Sequence, residues 1–497
     1  MAKFKMKQLA LAVGVAVGGM GMVPSVQAVN LATDGLGQVL IFPYYTTRAG
    51  WNTLFNITNT SAEVVAIKVR FHEGYNSRDV FDFNVILSPF DVWNGTLSNG
   101  AGNVPTFGTS DTTCTVPAIP AGGQLFQGAG AAGLLAYTGT AADGGPATTD
   151  RMREGYVSVI MMGSSPVAGL AANAVHAAGV PANCGALRNA FGLVAPNTIA
   201  GLKAAFPNYA VNPLKGAFSL VNAANGWNAS GSAVTLADFY DPTVAGAAPN
   251  LITAQLPPAS VGGVYTDSFH QPELSSANNP GEVLLATGAP ASTGAATGTD
   301  AVSFVLQRGS VVNQWANLVA SATNPWTVMA DWVVSFPTKR FYADTATNEF
   351  AGRATGRPGL PAGLAPFTNA FGAPGISCDA VNYTIYNREE LPFTAVSGPV
   401  FSPAPTPQGN TLCREVNVLT FGAAATATQS NVLGSPMPGQ LAGNVPASSL
   451  PGANGWMRLN FVTAKLPVTG FAIINRTDDT VGGTLNESFT VDNAYIR

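Results

Sequence analysis

Val64-Val-Ala-Ile-Lys-Val-Arg-Phe71 sets the reading of the whole chain. In an extended backbone Val65, Ile67 and Val69 fall on one side, and Ala66, Lys68 and Arg70 on the other. Alternation with a period of two marks a half-buried β-strand, with one face on a core and the other in water. Val39-Leu-Ile-Phe-Pro43, Thr53-Leu-Phe-Asn-Ile-Thr58 and Asp82-Phe-Asn-Val-Ile-Leu87 are runs of the same kind. Arg48-Ala-Gly50, Asn59-Thr-Ser-Ala62 and Glu73-Gly-Tyr-Asn-Ser77 supply turns between them. Short strands at regular spacing with turn signals between them predict a β-sandwich.

Outward from this region, residues 156–162, 216–222, 301–307, 332–336, 416–421, 457–461 and 470–474 also read as strands, and 489–497 as a closing one. Residues 184–191 and 198–206 read as short helices. Residues 98–149 read as an irregular Gly/Ala/Thr/Pro-rich insertion, and 229–299 and 352–375 as further loop-rich stretches. The expected fold class is mostly β: one or two Ig-like antiparallel β-sandwich domains with long Gly/Pro/Ala-rich loops and a few short helices. The expected division is a leader over 1–28, an N-terminal sandwich over 29–228 carrying the 98–149 insertion, and a C-terminal β-rich domain over 229–497.

Composition agrees with a β fold. Only 10% of residues are charged, and Gly (55) and Pro (35) are abundant. Long helices need Glu, Lys, Arg and Gln on their wet faces. Strands can be wetted by Thr, Ser and Asn. The formal net charge is −4 and no basic run occurs, which excludes the electrostatic footprint of a nucleic-acid binder.

The N-terminus has Lys3, Lys5 and Lys7, an apolar run from Leu9 to Val23, and Val26 and Ala28 at the small-residue positions of a cleavage site. That is the three-part pattern of a secretory signal. Beyond it no apolar stretch is long enough for a membrane helix, and Pro-rich strands count against a membrane barrel. Export makes an oxidising compartment the expectation, so Cys114, Cys184, Cys378 and Cys413 read as two disulfides. Cys114–Cys184 and Cys378–Cys413 are the favoured pairs, since each closes a loop within one half of the chain.

Several motifs match on paper. Leu466-Pro-Val-Thr-Gly470 fits a sortase signal but lacks the apolar tail that would hold it in a membrane. Gly128-Ala-Gly-Ala-Ala-Gly133 fits a dinucleotide fingerprint but has no strand before it or helix after it. His72, His176 and His270 are scattered, and Asp238, Asp241, Asp478 and Asp479 read as turn residues. No cofactor or metal is expected.

In a chain so poor in charge, the places where charges cluster are informative. Arg70, His72, Glu73, Arg78 and Asp79 form one group, and Arg151, Arg153 and Glu154 another. Lys339 with Arg340, Arg388 with Glu389 and Glu390, and Arg414 with Glu415 complete the set. Each borders a predicted strand, and ion pairs tying loops to sheets are the expectation, with an active site as the alternative. Seven tryptophans are spread over the chain. Trp51 and Trp456 follow Gly at the start of strands, where an exposed ring is able to stack on a sugar.

Ile41-Phe-Pro-Tyr-Tyr45, Lys68-Val-Arg-Phe-His-Glu-Gly-Tyr-Asn-Ser-Arg-Asp79, Leu87-Ser-Pro-Phe-Asp-Val-Trp93, Glu154-Gly-Tyr-Val, Trp332-Val-Val-Ser-Phe-Pro-Thr-Lys-Arg-Phe341 and Phe401-Ser-Pro together resemble a group of exported, cell-surface-type proteins of Gram-negative bacteria. The resemblance spans nearly the whole chain after the leader. It implies location and transfers no catalytic residue. The functional expectation is a non-enzymatic secreted or cell-surface structural protein, a layer, fibre or matrix component, at the cell surface, outside the cell or in the periplasm. Its partners would be other copies of itself or other surface components. The alternatives are an extracellular binding module for carbohydrate or hydrophobic material, and an extracellular hydrolase.

Overall fold

The computed structural model describes residues 29–126, 137, 144–240, 272–276, 298–343, 366–371, 375–390, 410–424, 426–437, 444–462, 465–478 and 485–496. The leader, Gly128–Gly133, Asp241, His270, Phe401 and Asp479 lie outside these residues. The described chain is mostly β.

The first strands are β1 (Asn30–Leu31), β2 (Val39–Thr46), β3 (Asn52–Asn59), β4 (Val64–Glu73), β5 (Asp79–Leu87) and β6 (Val92–Asn99). They are followed by β7 (Pro105–Gly108), β8 (Cys114–Val116), β9 (Gln124–Leu125), β10 (Glu154–Ser165), β11 (His176–Ala177) and β12 (Val180–Pro181). Then come β13 (Leu214–Asn222), β14 (Trp227–Ser232) and β15 (Val234–Ala237). Seven of them pair in the order β1-β15-β2-β10-β4-β5-β8, and six in the order β14-β13-β3-β6-β7-β9. The two sheets face each other through aromatic rings. Phe42 of one meets Phe55 of the other at 5.3 Å, and Phe71 meets Phe107 at 5.4 Å. Val65, Ile67, Val69 and Phe71 of β4 belong to this core, so one side of the alternation does point inward.

The later strands are β16 (Gln307–Arg308), β17 (Ser310–Leu318), β18 (Trp326–Ser335), β19 (Asp379–Asn387), β20 (Asn410–Leu412) and β21 (Val416–Phe421). After them run β22 (Asn444–Val445), β23 (Asn454–Phe461), β24 (Leu466–Pro467), β25 (Thr469–Asp478), β26 (Leu485–Asp492) and β27 (Ala494–Ile496). β17 and β18 share only the pairs Asn317–Met329 and Leu318–Val328. The sheet bends there, and its two wings close on a second core. Trp315, Met457 and Leu459 come from one wing, and Trp332, Leu419 and Ala472 from the other.

The other face of the β18–β21–β25 wing joins the first core through Val333, Val416, Val418, Phe471 and Ile473. The Phe471 ring lies 5.2 Å from Phe218. The two halves therefore share one apolar interior. The division expected at residue 228 falls inside β14, which pairs with β13 across the turn after Asn222. Composition changes near that point, but the sheet does not.

The structure corrects three expectations. Of residues 301–307 only Gln307 lies in a strand, β16: Gly298–Leu306 is an α-helix. Its run of Val and Phe resembles a strand in composition, but its buried apolar residues are Ala301, Val302, Val305 and Leu306, which is the spacing of one helix face. The 98–149 stretch is not uniformly irregular, since β7, β8 and β9 lie within it and extend both sheets. Finally, β4 is not half-buried. Lys68, Arg70 and His72 are 0–1% exposed, as fully covered as the apolar side. Alternation reports where polarity changes along a strand, and in this fold both faces meet protein.

Two helices cover the start of that polar face. Cys184–Phe191 is capped by Asn183 and Ile199–Ala205 by Thr198, each side chain accepting a bond from a first-turn amide. Leu187, Phe191 and Leu202 pack on Val64, Ala66, Ile86 and Met162. The disulfides are Cys114–Cys184, which ties β8 to the first of these helices, and Cys378–Cys413. Among the described residues no helix is long and apolar enough to cross a membrane.

Candidate functional site

Beyond Ala66 the covered face of β4 turns from apolar to ionic. Lys68 lies 3.4 Å from Asp82. Burial lowers its pKa, and Asp82 opposes that. Arg70 pairs with Asp79 and lies 3.1 Å from Glu273. Burial works against the Arg70 charge, but Asp79 and Glu273 outweigh it and hold its pKa above the ordinary arginine value. Glu273 also binds Arg340 at 2.8 Å, and Arg340 donates to the Ser77 carbonyl. One carboxylate thus bridges an arginine from each half of the chain.

The tight turn after β4 is built around Glu73. Its carboxylate accepts the backbone N–H of Tyr75, Asn76 and Arg78, at 2.8, 3.1 and 3.2 Å. Arg151 grips the same carboxylate with two nitrogens at 3.1 and 3.0 Å, the bidentate geometry that makes such pairs specific. Arg151 and Arg78 both lie over the Tyr137 ring. Glu154 accepts from the Tyr44 hydroxyl at 3.0 Å and sits 3.5 Å from Arg48 and 3.7 Å from Arg414. Arg414 lies over the Tyr75 ring. Asp150 binds Arg48 and Arg153. Backbone bonds from Glu415 N to Tyr75 O and from Val416 N to Gly74 O dock β21 against the same turn.

His72 contacts Ser158 and Asp79 in the manner of a nucleophile, base and carboxylate. Its Nε2 is 3.1 Å from Ser158 Oγ, and its Nδ1 is 3.6 Å from Asp79. The ring stacks on Tyr156 at 4.7 Å, and its Nδ1 lies 3.3 Å from both the Ser77 carbonyl and Arg340. Burial depresses its pKa well below the usual histidine value, so the ring is neutral at pH 7. Acyl transfer needs a space beside the hydroxyl where a substrate carbonyl can sit. Ser158, His72 and Asp79 are 0, 1 and 4% exposed, and Tyr156, Arg70 and Arg340 occupy the positions around them. The geometry is that of a packed polar core.

Lys339 and Asp379 form a second buried pair at 2.7 Å, with burial pushing both toward their neutral forms. Glu415 has no such partner. It is fully buried, with the Ser77 hydroxyl beside it and no cation at ion-pair distance among the described residues. Burial pushes its carboxyl up to about 8, against the pull of Lys339 and Arg340.

Arg70, Glu73, Arg78, Asp79, Arg153 and Glu154 therefore lie in one connected region where the halves meet. Arg388, Glu389 and Glu390 do not. They are exposed on the turn after β19. Arg388 and Glu390 line an open groove of about 640 Å³, together with Gln314, Trp326, Trp456, Arg476 and Phe489. Tyr386 and Trp456, paired across β19 and β23, stack at 4.1 Å and 15° and are each half-buried. The Arg476 guanidinium lies 3.4 Å from the Trp326 ring centroid.

Glu273, Tyr156, Ser158, Arg48 and Tyr386 were not singled out from sequence. Glu273 is an isolated acid between Pro272 and Leu274 in a charge-poor stretch, and an isolated charge beside buried-type residues was the available signal. Leu466-Pro-Val-Thr-Gly470 is buried in β24 and β25. Among the described residues no group of three His, Cys, Asp or Glu side chains is placed to hold a metal. Comparison with family models, curated proteins and solved structures returned no match.

Proposed function

We propose that this is an exported, non-catalytic structural protein of the cell surface or of the space just outside the cytoplasm. The observation that carries the reading is the fate of the clustered charges. Arg70, Glu73, Asp79, Arg151, Glu273 and Arg340 are buried against one another where the two halves meet. Charges gathered for catalysis need a route to substrate, whereas charges that lock two halves together need burial and mutual pairing. Two disulfides fit an oxidising compartment. The outer side of the six-stranded sheet, with Asn56, Asn94, Thr96, Ser219 and Ser230 exposed or half-exposed, presents hydrogen-bonding groups and little charge, a surface suited to neighbours of the same kind.

The test is fractionation and electron microscopy of cells with and without the gene. The expected result is protein in the envelope or medium fraction, and loss of ordered surface material on deletion. Retention in the cytoplasm, or an unchanged surface, would sink the reading.

A further inference from the structure

The groove at the end of β19 has a different construction from the buried network. Register places Tyr386, Trp456 and Gln314 in one row across β19, β23 and β17. Trp315, from the opposite face, donates its indole N–H to the Tyr386 carbonyl at 3.0 Å, which holds the row's edge in place. A side chain at Gly455 would put its Cβ 1.9 Å from that same carbonyl, so only glycine lets the strands approach this closely. The turn beyond is also held. Asn387 accepts the Glu389 N–H on its side chain at 3.0 Å and the Glu390 N–H on its carbonyl at 3.2 Å. The Arg388 and Glu390 side chains are thus presented from an ordered turn at the rim. Arg476, on the far side, is committed to Trp326 and Glu487.

We propose that this groove binds a neutral oligosaccharide, with one ring lying on the Trp456 face that Tyr386 leaves free and its hydroxyls held by Arg388, Glu390 and Gln314. The volume is within the range of small-ligand sites, roughly 300–1,000 Å³. A half-exposed indole backed by a second ring offers apolar area at low entropy cost, and its free face matches the C–H face of a pyranose. The rim selects against other occupants. A purely apolar ligand would strip water from Arg388 and Glu390 and give nothing back. An anionic ligand would gain from Arg388 only what it loses to Glu390, and Arg476 is already paired with Glu487. Vicinal hydroxyls donate and accept at once, which suits an amide, a guanidinium and a carboxylate together. This activity goes beyond the structural role and does not depend on it.

The experiment is calorimetric titration of the purified full-length mature chain with cellohexaose, chitohexaose and laminarihexaose, with tryptophan emission as a second readout. At least one should bind saturably. Trp456→Ala should weaken that binding by about tenfold or more, and Arg388→Ala should weaken it measurably. Tyr386→Phe, which keeps the stack, should leave it within about twofold. Near-ultraviolet circular dichroism establishes that each variant is folded, and Arg388→Ala, on an exposed turn, serves if Trp456→Ala is not. The proposal is overturned if none of the three sugars binds the wild-type chain. It is equally overturned if binding survives in folded Trp456→Ala and Arg388→Ala alike, or if an apolar dye fills the groove and the sugars fail to displace it.

Discussion

Replacing Glu415 by glutamine should stabilise this protein, and by more at high pH than at low. Two effects compete at this residue. Lys339 and Arg340 attract its negative charge, but Lys339 lies 2.7 Å from Asp379 and Arg340 lies 2.8 Å from Glu273, so closer anions already neutralise both. Desolvation wins, and the carboxyl is pushed up to about 8 from an ordinary 4.5. Below pH 4.5 both the folded and the unfolded chain carry the neutral acid, and no penalty arises. As pH rises, only the unfolded chain releases the proton, so stability falls until the folded group ionises as well. At about 1.4 kcal/mol per pH unit, the cost is about 3 kcal/mol at pH 7 and about 5 kcal/mol by pH 9. Glu415→Gln keeps the shape and removes the titration. Guanidinium unfolding of both proteins at pH 4, 7 and 9 should show the variant level with wild type at pH 4 and progressively more stable above it. A difference that does not change with pH, or a variant less stable at pH 7, would show Glu415 to be an ionised partner of the cations and refute the reasoning.

Arg340→Met should destabilise by about 3–5 kcal/mol, because it strips a paired cation from the buried Glu273. Adding Glu273→Gln should cost less than the sum of the singles in a double-mutant cycle. Gly155→Ala should lower the denaturant midpoint by an amount worth about 3 kcal/mol or more, since a Cβ there would stand 1.9 Å from the His72 carbonyl and force β4 and β10 apart. The Cys114→Ser, Cys184→Ser pair releases a 70-residue loop, and its unfolding free energy should drop by about 4 kcal/mol under non-reducing conditions. His72, held neutral by burial, should make stability fall as pH drops below about 6.5, because only the unfolded chain takes up that proton. His72→Gln should flatten that limb of the stability profile.

Periodicity found β4, β2, β3 and β5 because two-residue alternation is a local property. What covered the far side of β4 was not local. Arg70 meets Pro272 and Glu273 more than two hundred residues later, and no pattern within one strand records a partner at that distance. The helix at Gly298–Leu306 was misread for a related reason, since Val and Phe suit either element and only the arrangement of surrounding surfaces decides between them. The scarcity of charge helped. Where few residues are ionic, the segments that carry them are the ones that meet, and the groups around Arg70, Glu154, Arg340 and Arg414 do meet. The same logic misled at Arg388, Glu389 and Glu390, whose turn faces solvent. Trp456 stood out by its place after a turn. Tyr386 did not, because its importance arises only from the register that stacks it on Trp456.

The ionic face of β4 also bears on the order in which the chain can assemble. Synthesis delivers the N-terminal sheets first, and 263 residues separate Ser77 from the Arg340 side chain that reaches it. Until that later segment arrives, the ionic stretch of β4 beyond Ala66 lacks Glu273 and Arg340. An apolar surface left bare for so long would invite association with other chains. Lys68, Arg70, His72 and Asp82 keep it hydrated instead, so the unfinished half tolerates water while it waits. Its final burial then depends on the later residues arriving with the opposite charge, which makes the closing contact selective for this chain's own second half.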